Sequence, residues 1–404
     1  MTMVSATPVR EVSATPVREA SVPNPPPLSV VVAGLRGLVG VQGGIEMHAR
    51  MLYPRLARLG CSIEVLQRSP YYAPGKRPRA WHGVALTYLW SPMRPGLETA
   101  VHTLLCVLYA AVRRPDILHL HAIGPGLLAP LARLLGLRVV LTHHAADYER
   151  EKWGVLAKAI LRAGERLGVR YASRPIAVSP VIKEDLKMRF GIDVTMIPNG
   201  APHAHPTRGR ETLQRFELSK KRYVLCVARI ESTKRQLDLV DAFELARLRG
   251  WKLALVGAGG PGDAYLARLQ RRARRNADIV LTGYQEGAAL RELYSHAGVF
   301  VLASSLEGHS IALLEAASYG LPVLASAIPA NLHVPLPRDR FFPVGNTAKL
   351  AAMLRRAAAD PARVEAECQS VLAVLRTEYS WRSAARQTRL VYDATVARHR
   401  DSRG

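Results

Sequence analysis

Twice along this chain a series of short β-branched apolar runs alternates with longer stretches of helical period, the pattern of a parallel sheet covered by helices on both faces. The first series starts at Leu28–Ala33 (LSVVVA) and continues through Ser62–Gln67, Ile117–His121, Arg138–Thr142, Pro175–Val178 and Val194–Ile197. A glycine-rich loop, Gly34–Gly44, follows its first strand, and then comes a helix in which Ile45, His48, Ala49, Leu52, Leu56 and Leu59 recur at three- and four-residue steps. The second series runs through Arg222–Ala228, Lys252–Val256, Ile279–Thr282, Val299–Ala303, Pro322–Ala325 and Arg340–Phe342. A length of 404 residues accommodates two such domains. The expected fold is therefore α/β with two doubly wound parallel sheets, one in residues 28–200 and one in 222–375. The turn Pro198-Asn199-Gly200 leads into a polar linker over 201–221, and residues 376–404 are expected to form a helix returning toward the first domain. Residues 1–27 carry an octapeptide written twice (VSATPVRE, Val4–Glu11 and Val12–Glu19) and a proline run, and read as a disordered tail.

Charge narrows the partners. Lys and Arg number 56 against 32 Asp and Glu, a formal +24, which favours an anionic partner such as a phosphorylated substrate or an acidic membrane. The basic runs, Arg268–Arg275 and a set comprising Arg113, Arg114, Lys152, Lys158, Arg162, Arg166 and Arg170, lack interleaved aromatics, so nucleic acid is not expected. Cys61, Cys106, Cys226 and Cys368 form no CxxC pair, which fits a reducing cytoplasm and excludes a thiolate zinc site. The apolar stretch Ala100–Val112 is interrupted by His102 and Thr103 and is too short to span a bilayer. Gly96–Arg114 around it reads as a core helix or as one that dips into a membrane interface.

The chemistry concentrates at strand exits. Glu307-Gly-His-Ser-Ile-Ala-Leu-Leu-Glu315 follows the strand Val299–Ala303. Eight helical residues turn about 80° beyond two full turns and rise about 12 Å, so the two acids cannot share a helix face. Glu307 then lies on the loop, Gly308 permits close approach of backbone to ligand, and a helix begins near Ser310 with Glu315 inside it. Free N–H groups around His309, Ser310 and Ile311 make an anion site, and a diphosphate fits between the acids. Arg229 and Lys234 leave the strand Val224–Ala228 and offer two cations to a departing diphosphate. Gly257–Gly262 is a further glycine-rich exit without GxGxxG spacing, so no dinucleotide cofactor is expected.

Arg229 with Lys234, the Gly257–Gly262 turn, Thr282-Gly283-Tyr284 and the Glu307 to Glu315 spacing stand in the order found in family 4 retaining glycosyltransferases of the group 1 type, and the chain resembles that family over roughly residues 30–375. Gly40–Glu46 (GVQGGIE), Pro115–His121 (PDILHLH), Thr142–His144 (THH), Ala177–Pro180 (AVSP) and Ile197–Gly200 (IPNG) agree in the first half. The resemblance implies a GT-B architecture, two Rossmann-like domains facing across a cleft, with a nucleotide-sugar donor held mainly by the second and the acceptor by the first. It implies that Arg229 and Lys234 neutralise the donor diphosphate, that Glu315 binds the ribose, and that Glu307 and His144 sit by the donor sugar. Gly43 and Gly44 approach the donor phosphates, Gly257 lines the donor site, and Gly283, Tyr284 and Gln285 flank the base. The chain departs from the family at Ala228 and Arg235, where glycines are frequent. Arg235 offers a further phosphate contact.

The sequence contains no Asp-x-Asp triplet, and Arg229, Lys234 and the helix start at Ser310 supply positive potential, so metal-independent transfer with no cofactor is expected. His119, His121, His143 and His144 gather at one sheet edge and raise the question of zinc. The adjacent pair cannot readily face the same side and no carboxylate or thiolate is near in sequence, so no metal is assigned. His119 and His121 read as hydrogen-bonded structural residues, His144 as functional, and His143 as its nearest rival. The expected acceptor is a glycan, linked to lipid, in polysaccharide or glycoconjugate biosynthesis, with the protein cytoplasmic and peripheral at an anionic membrane. The alternatives are a nucleotide-sugar epimerase or hydrolase on the same fold and a non-catalytic nucleotide-sugar-binding scaffold.

Overall fold

The computed structural model describes residues 27–401 except 95, 152, 261, 361–370 and 376; the N-terminal tail, Lys152 and Cys368 lie outside the described residues. The first sheet is built from β1 (Leu28–Ala33), β2 (Cys61–Arg68), β3 (Ala80–Trp81), β4 (Val84–Leu89), β5 (Ile117–His121), β6 (Val139–His143), β7 (Arg174–Ala177) and β8 (Thr195–Met196), in spatial order β3-β4-β2-β1-β5-β6-β7-β8. All its pairings are parallel except β3 with β4. The second sheet contains β9 (Tyr223–Val227), β10 (Lys252–Val256), β11 (Ile279–Gly283), β12 (Val299–Leu302), β13 (Val323–Ser326) and β14 (Phe341–Phe342), in order β11-β10-β9-β12-β13-β14 and parallel throughout.

Each sheet is buried on both faces. Along β1, Val30 and Val32 enter one core and Val31 and Ala33 the other, the two-residue alternation of a strand between helix layers. In β9, Val224 and Cys226 separate from Tyr223 and Leu225 in the same way. Strand order reverses on either side of β1 and of β9, and a crevice opens at the carboxyl ends of the strands at such a switch point. Both crevices face one cleft.

Two segments differ from the sequence expectation. The β3–β4 hairpin is additional, an edge that a short alternating run between prolines did not announce. The stretch over 201–221 is only partly a linker: Glu211–Arg215 is helical, and Leu213 and Leu218 are buried in the second sheet's core. Beyond it, the helix Trp381–Asp401 packs on the helix Gly44–Arg58, and Trp381, Ala384, Ala385 and Tyr392 complete the core of the first sheet.

The helix Leu97–Arg113 packs into the core on one side and carries apolar residues on the other. One face buries His102, Cys106, Val107 and Ala110, and the other exposes Leu104, Leu108 and Val112. The helix Val155–Tyr171 exposes Val155, Leu156 and Ile160 next to Arg162, Arg166 and Arg170, and both helices flank the turn Ile123–Gly126. No described helix is long and apolar enough to cross a membrane.

Candidate active site

A cleft of about 660 Å³ lies between the two sheets, and every candidate donor-site or catalytic residue from the sequence lines it except Gly283 and Arg235. Gly283 works one step behind the wall, where its carbonyl accepts the N–H of Gly257 at 2.9 Å.

The wall from the second sheet is charged. The β9 exit delivers Arg229, Glu231 and Lys234 in six residues, and the β12 exit delivers Glu307. Lys234 Nζ donates to Glu307 Oε1 at 2.6 Å, and the Ser304 hydroxyl donates to the same oxygen at 2.7 Å. Arg229 pairs with Glu231 Oε2 at 2.5 Å. Arg150, from the other side of the cleft, reaches Glu231 Oε1 at 2.7 Å. Burial alone would raise the Glu231 carboxyl, but Arg229, Arg150 and Lys234 outweigh it and hold it at about 2. Glu231 thus keeps two guanidinium groups aimed into one place. Arg235 is turned away to Asp238 Oδ2 at 2.6 Å, which removes the phosphate contact expected of it. Its φ of 50° lies in the left-handed region, the conformation that the family's frequent glycine adopts without strain.

The helix of the β12 exit spans Ile311–Ser318, with Ser310 as N-cap accepting from the Leu313 N–H at 3.3 Å. Its first-turn N–H groups lack intrahelical partners and point their partial positive charge at the cleft, which Ile311 and Ala312 line. Glu315, partly open to the cleft, is raised to about 7 by burial, with the Tyr294 hydroxyl and Arg50 pulling the other way. Gly308 permits a close approach, but to protein: a Cβ there would sit 1.5 Å from the His144 carbonyl oxygen. His309 serves the same apposition, accepting the Asn199 N–H at 3.2 Å on its ring and the Asn199 side-chain amide at 2.9 Å on its carbonyl.

The wall from the first sheet combines charged groups, among them Arg36, Glu46, Arg50 and Arg150, with a cluster of neutral imidazoles. The helix Gly44–Arg58 begins at the cleft, where Gly43 leaves room for the half-buried Arg36–Glu46 pair at 3.0 Å. Behind it His144 Nε2 lies 2.9 Å from His121 Nδ1, and the two rings stack. Burial pushes His48 to about 4, His119 to about 3, and His121 and His144 well below the usual imidazole range. His143 leaves this group; it bonds Glu165 at 2.8 Å, and Arg189 pairs with the same carboxylate at 2.6 Å. Tyr284 and Gln285 sit at the far end, with the Tyr284 hydroxyl donating to Glu286 at 2.8 Å. Arg150, Glu231, His48 and Asn199 had no assigned role in the sequence, although the period of the first helix already placed His48 on its inward face.

The family profile for glycosyl transferases group 1 matches residues 210–369, and that for Glycosyltransferase Family 4 matches 42–205. This chain belongs to the family 4, group 1 glycosyltransferases. The glycosyltransferase is 30 % identical over 184 residues to O-antigen chain mannosyltransferase B of Escherichia coli, a match covering 45 % of this chain and 43 % of that one. It thus spans less than half of that relative's length. It is 28 % identical over 302 residues to glycogen synthase of Mycobacterium tuberculosis, covering 69 % of each. Its fold is that of sucrose-phosphate synthase from Thermosynechococcus elongatus, with a TM-score of 0.79 at 20 % identity over 92 % of this chain and 99 % of that one. The GT-B architecture expected from the sequence is therefore the architecture present.

Proposed function

We propose that this glycosyltransferase moves a hexose, with retention and without a metal, from a nucleoside-diphosphate sugar to a hydroxyl of a lipid-linked glycan. The observation that carries the reading is the placement of Arg229, Lys234 and the Ile311–Ser318 helix start around one space, with Glu307 and Glu315 on either side of it. In this reading the diphosphate displaces the internal pairings of Arg229 and Lys234 and accepts from the helix N–H groups. Glu315 accepts from the ribose hydroxyls. The sugar extends toward His144.

Cleavage of the bond between C1 and the phosphate oxygen leaves negative charge on the leaving group, which the fixed cations and helix dipole stabilise without reorganising. The acceptor oxygen attacks C1 from the same face, and its proton passes to the departing phosphate. Glu307 is held by Lys234 and Ser304, so its task is positioning and charge, with no covalent intermediate. The relative named as a mannosyltransferase supports a hexose donor. The exposed apolar residues of the Leu97–Arg113 and Val155–Tyr171 helices, beside Arg162, Arg166 and Arg170, support peripheral docking on an anionic membrane that carries the acceptor.

A thermal-shift panel with UDP, GDP, ADP and their common sugar conjugates tests the reading. One nucleotide is expected to stabilise the protein, naming the base, and Glu315→Ala is expected to abolish the shift. No shift with any of them, or sugar release at the same rate with and without acceptor, would overturn it in favour of a scaffold or a hydrolase.

A further inference from the structure

We propose that His48, His121 and His144 form a site for one divalent transition-metal ion of the zinc class, with its fourth position open to the cleft. One ring nitrogen from each lies within 4.8 Å of the other two. Imidazole nitrogens about 2.1 Å from a tetrahedral centre stand about 3.4 Å apart, so small ring rotations complete the geometry. His48 and His121 are fully enclosed, while His144 borders the cleft and gives an ion its way in.

The tautomer of His48 supplies the independent argument. The Asn199 amide nitrogen donates to the His309 carbonyl, which fixes the amide and turns its oxygen toward His48 Nδ1 at 2.8 Å. His48 must donate there through Nδ1–H. Its Nε2 then carries a bare lone pair, buried and with no hydrogen-bond partner among the described residues. A buried acceptor without a donor is costly, and a metal ion would satisfy it while also engaging the two neighbouring rings.

The surroundings are those of a metal-bound imidazole, whose second nitrogen is held by an oxygen. Asn199 holds His48, and the Tyr53 hydroxyl bonds His121 Nε2. Tyr53 also reaches His119 Nδ1 at 3.1 Å, and His119 is fixed by Thr142 and Tyr392, each at 2.7 Å. Without metal, one proton lies between His121 Nδ1 and His144 Nε2. An entering ion takes its place, and the proton moves to the far nitrogen of its own ring. If that ring is His121, Tyr53 then accepts from it and donates to His119. Three neutral nitrogen donors and no carboxylate select zinc-class ions over magnesium or calcium.

A consequence rests on the transferase reading: an ion bound to His144 takes away the group beside the donor sugar, so the metal inhibits. Untagged full-length protein titrated with Co²⁺ is expected to develop the intense visible band of tetrahedral cobalt at one equivalent, bleached by Zn²⁺. His48→Gln and His121→Gln should each lose the band, while His82→Gln, at an exposed histidine, should keep it. Zn²⁺ should also raise the melting temperature of the wild type and leave that of folded His48→Gln unmoved. No band in the wild type, or a band that survives His48→Gln, would overturn the site. Binding that leaves turnover unchanged would keep the site and overturn the inhibition, and with it the place of His144 in the transfer.

Discussion

At the carboxyl end of the second sheet the cleft groups are charged and already paired, Lys234 with Glu307 and Arg229 with Glu231, whereas the end of the first sheet holds imidazoles that burial keeps neutral. The two crevices share a switch-point topology, and only the first adds a cluster of neutral imidazoles to its charged groups. In the proposed reading the phosphate lies by Arg229 and Lys234 and the sugar extends toward the histidines. Pairing before the ligand arrives keeps each cation at the cleft, where the diphosphate takes over from its carboxylate partner.

The strongest way to break the comparison is to empty the charged side. Lys234→Ala removes the cation at Glu307 and is expected to lower turnover on the order of 10²–10³ at saturating donor. Equal turnover would mean that the charge of this wall is structural. Next comes the seam where the two walls touch. Gly308→Ala forces a methyl into the His144 carbonyl, and because misplacement by about 1 Å costs on the order of 10²-fold, a loss of that size is expected in kcat. A kcat within twofold of wild type would show that the walls need not meet this closely.

A smaller effect separates burial from charge at Glu315. Its carboxyl, at about 7, stands above the ordinary value of 4.5, so between those pH values the folded protein keeps a proton that the unfolded chain has released. Its stabilising contribution is full below about pH 4.5 and is lost as pH rises to about 7. Glu315→Gln should therefore melt at nearly the wild-type temperature at low pH and a few degrees higher at pH 8. A difference independent of pH would refute the assignment. The smallest expected effect is none: EDTA should not lower turnover, and a loss restored by Mg²⁺ would return the charge-neutralising task to a metal.

The strands were legible because burial on both faces writes them as continuous apolar runs, as in Leu28–Ala33 and Val299–Leu302. The β4 strand was not, since only Val84 and Leu86 of its six residues are buried and the run lacks that density. In the site, Arg229, Lys234, Glu307 and Glu315 were legible because each pair arises within one strand exit. The bridge from Arg150 to Glu231 was not, because 81 residues separate its ends and neither stands in a local pattern. His48 illustrates the boundary: helical period predicts that it is buried, and nothing nearby predicts that Asn199 and two more histidines meet it there.

The return of the helix Trp381–Asp401 to the first sheet has a consequence for biogenesis. Domains emerging from the ribosome fold in the order they are made. Here Trp381 and Tyr392, part of the first core and of its histidine network, are synthesised only after all six strands of the second sheet. The earlier half must wait, with a groove along the Gly44–Arg58 helix exposed to chaperones or to other nascent chains, until the later half has been made and the helix can close it.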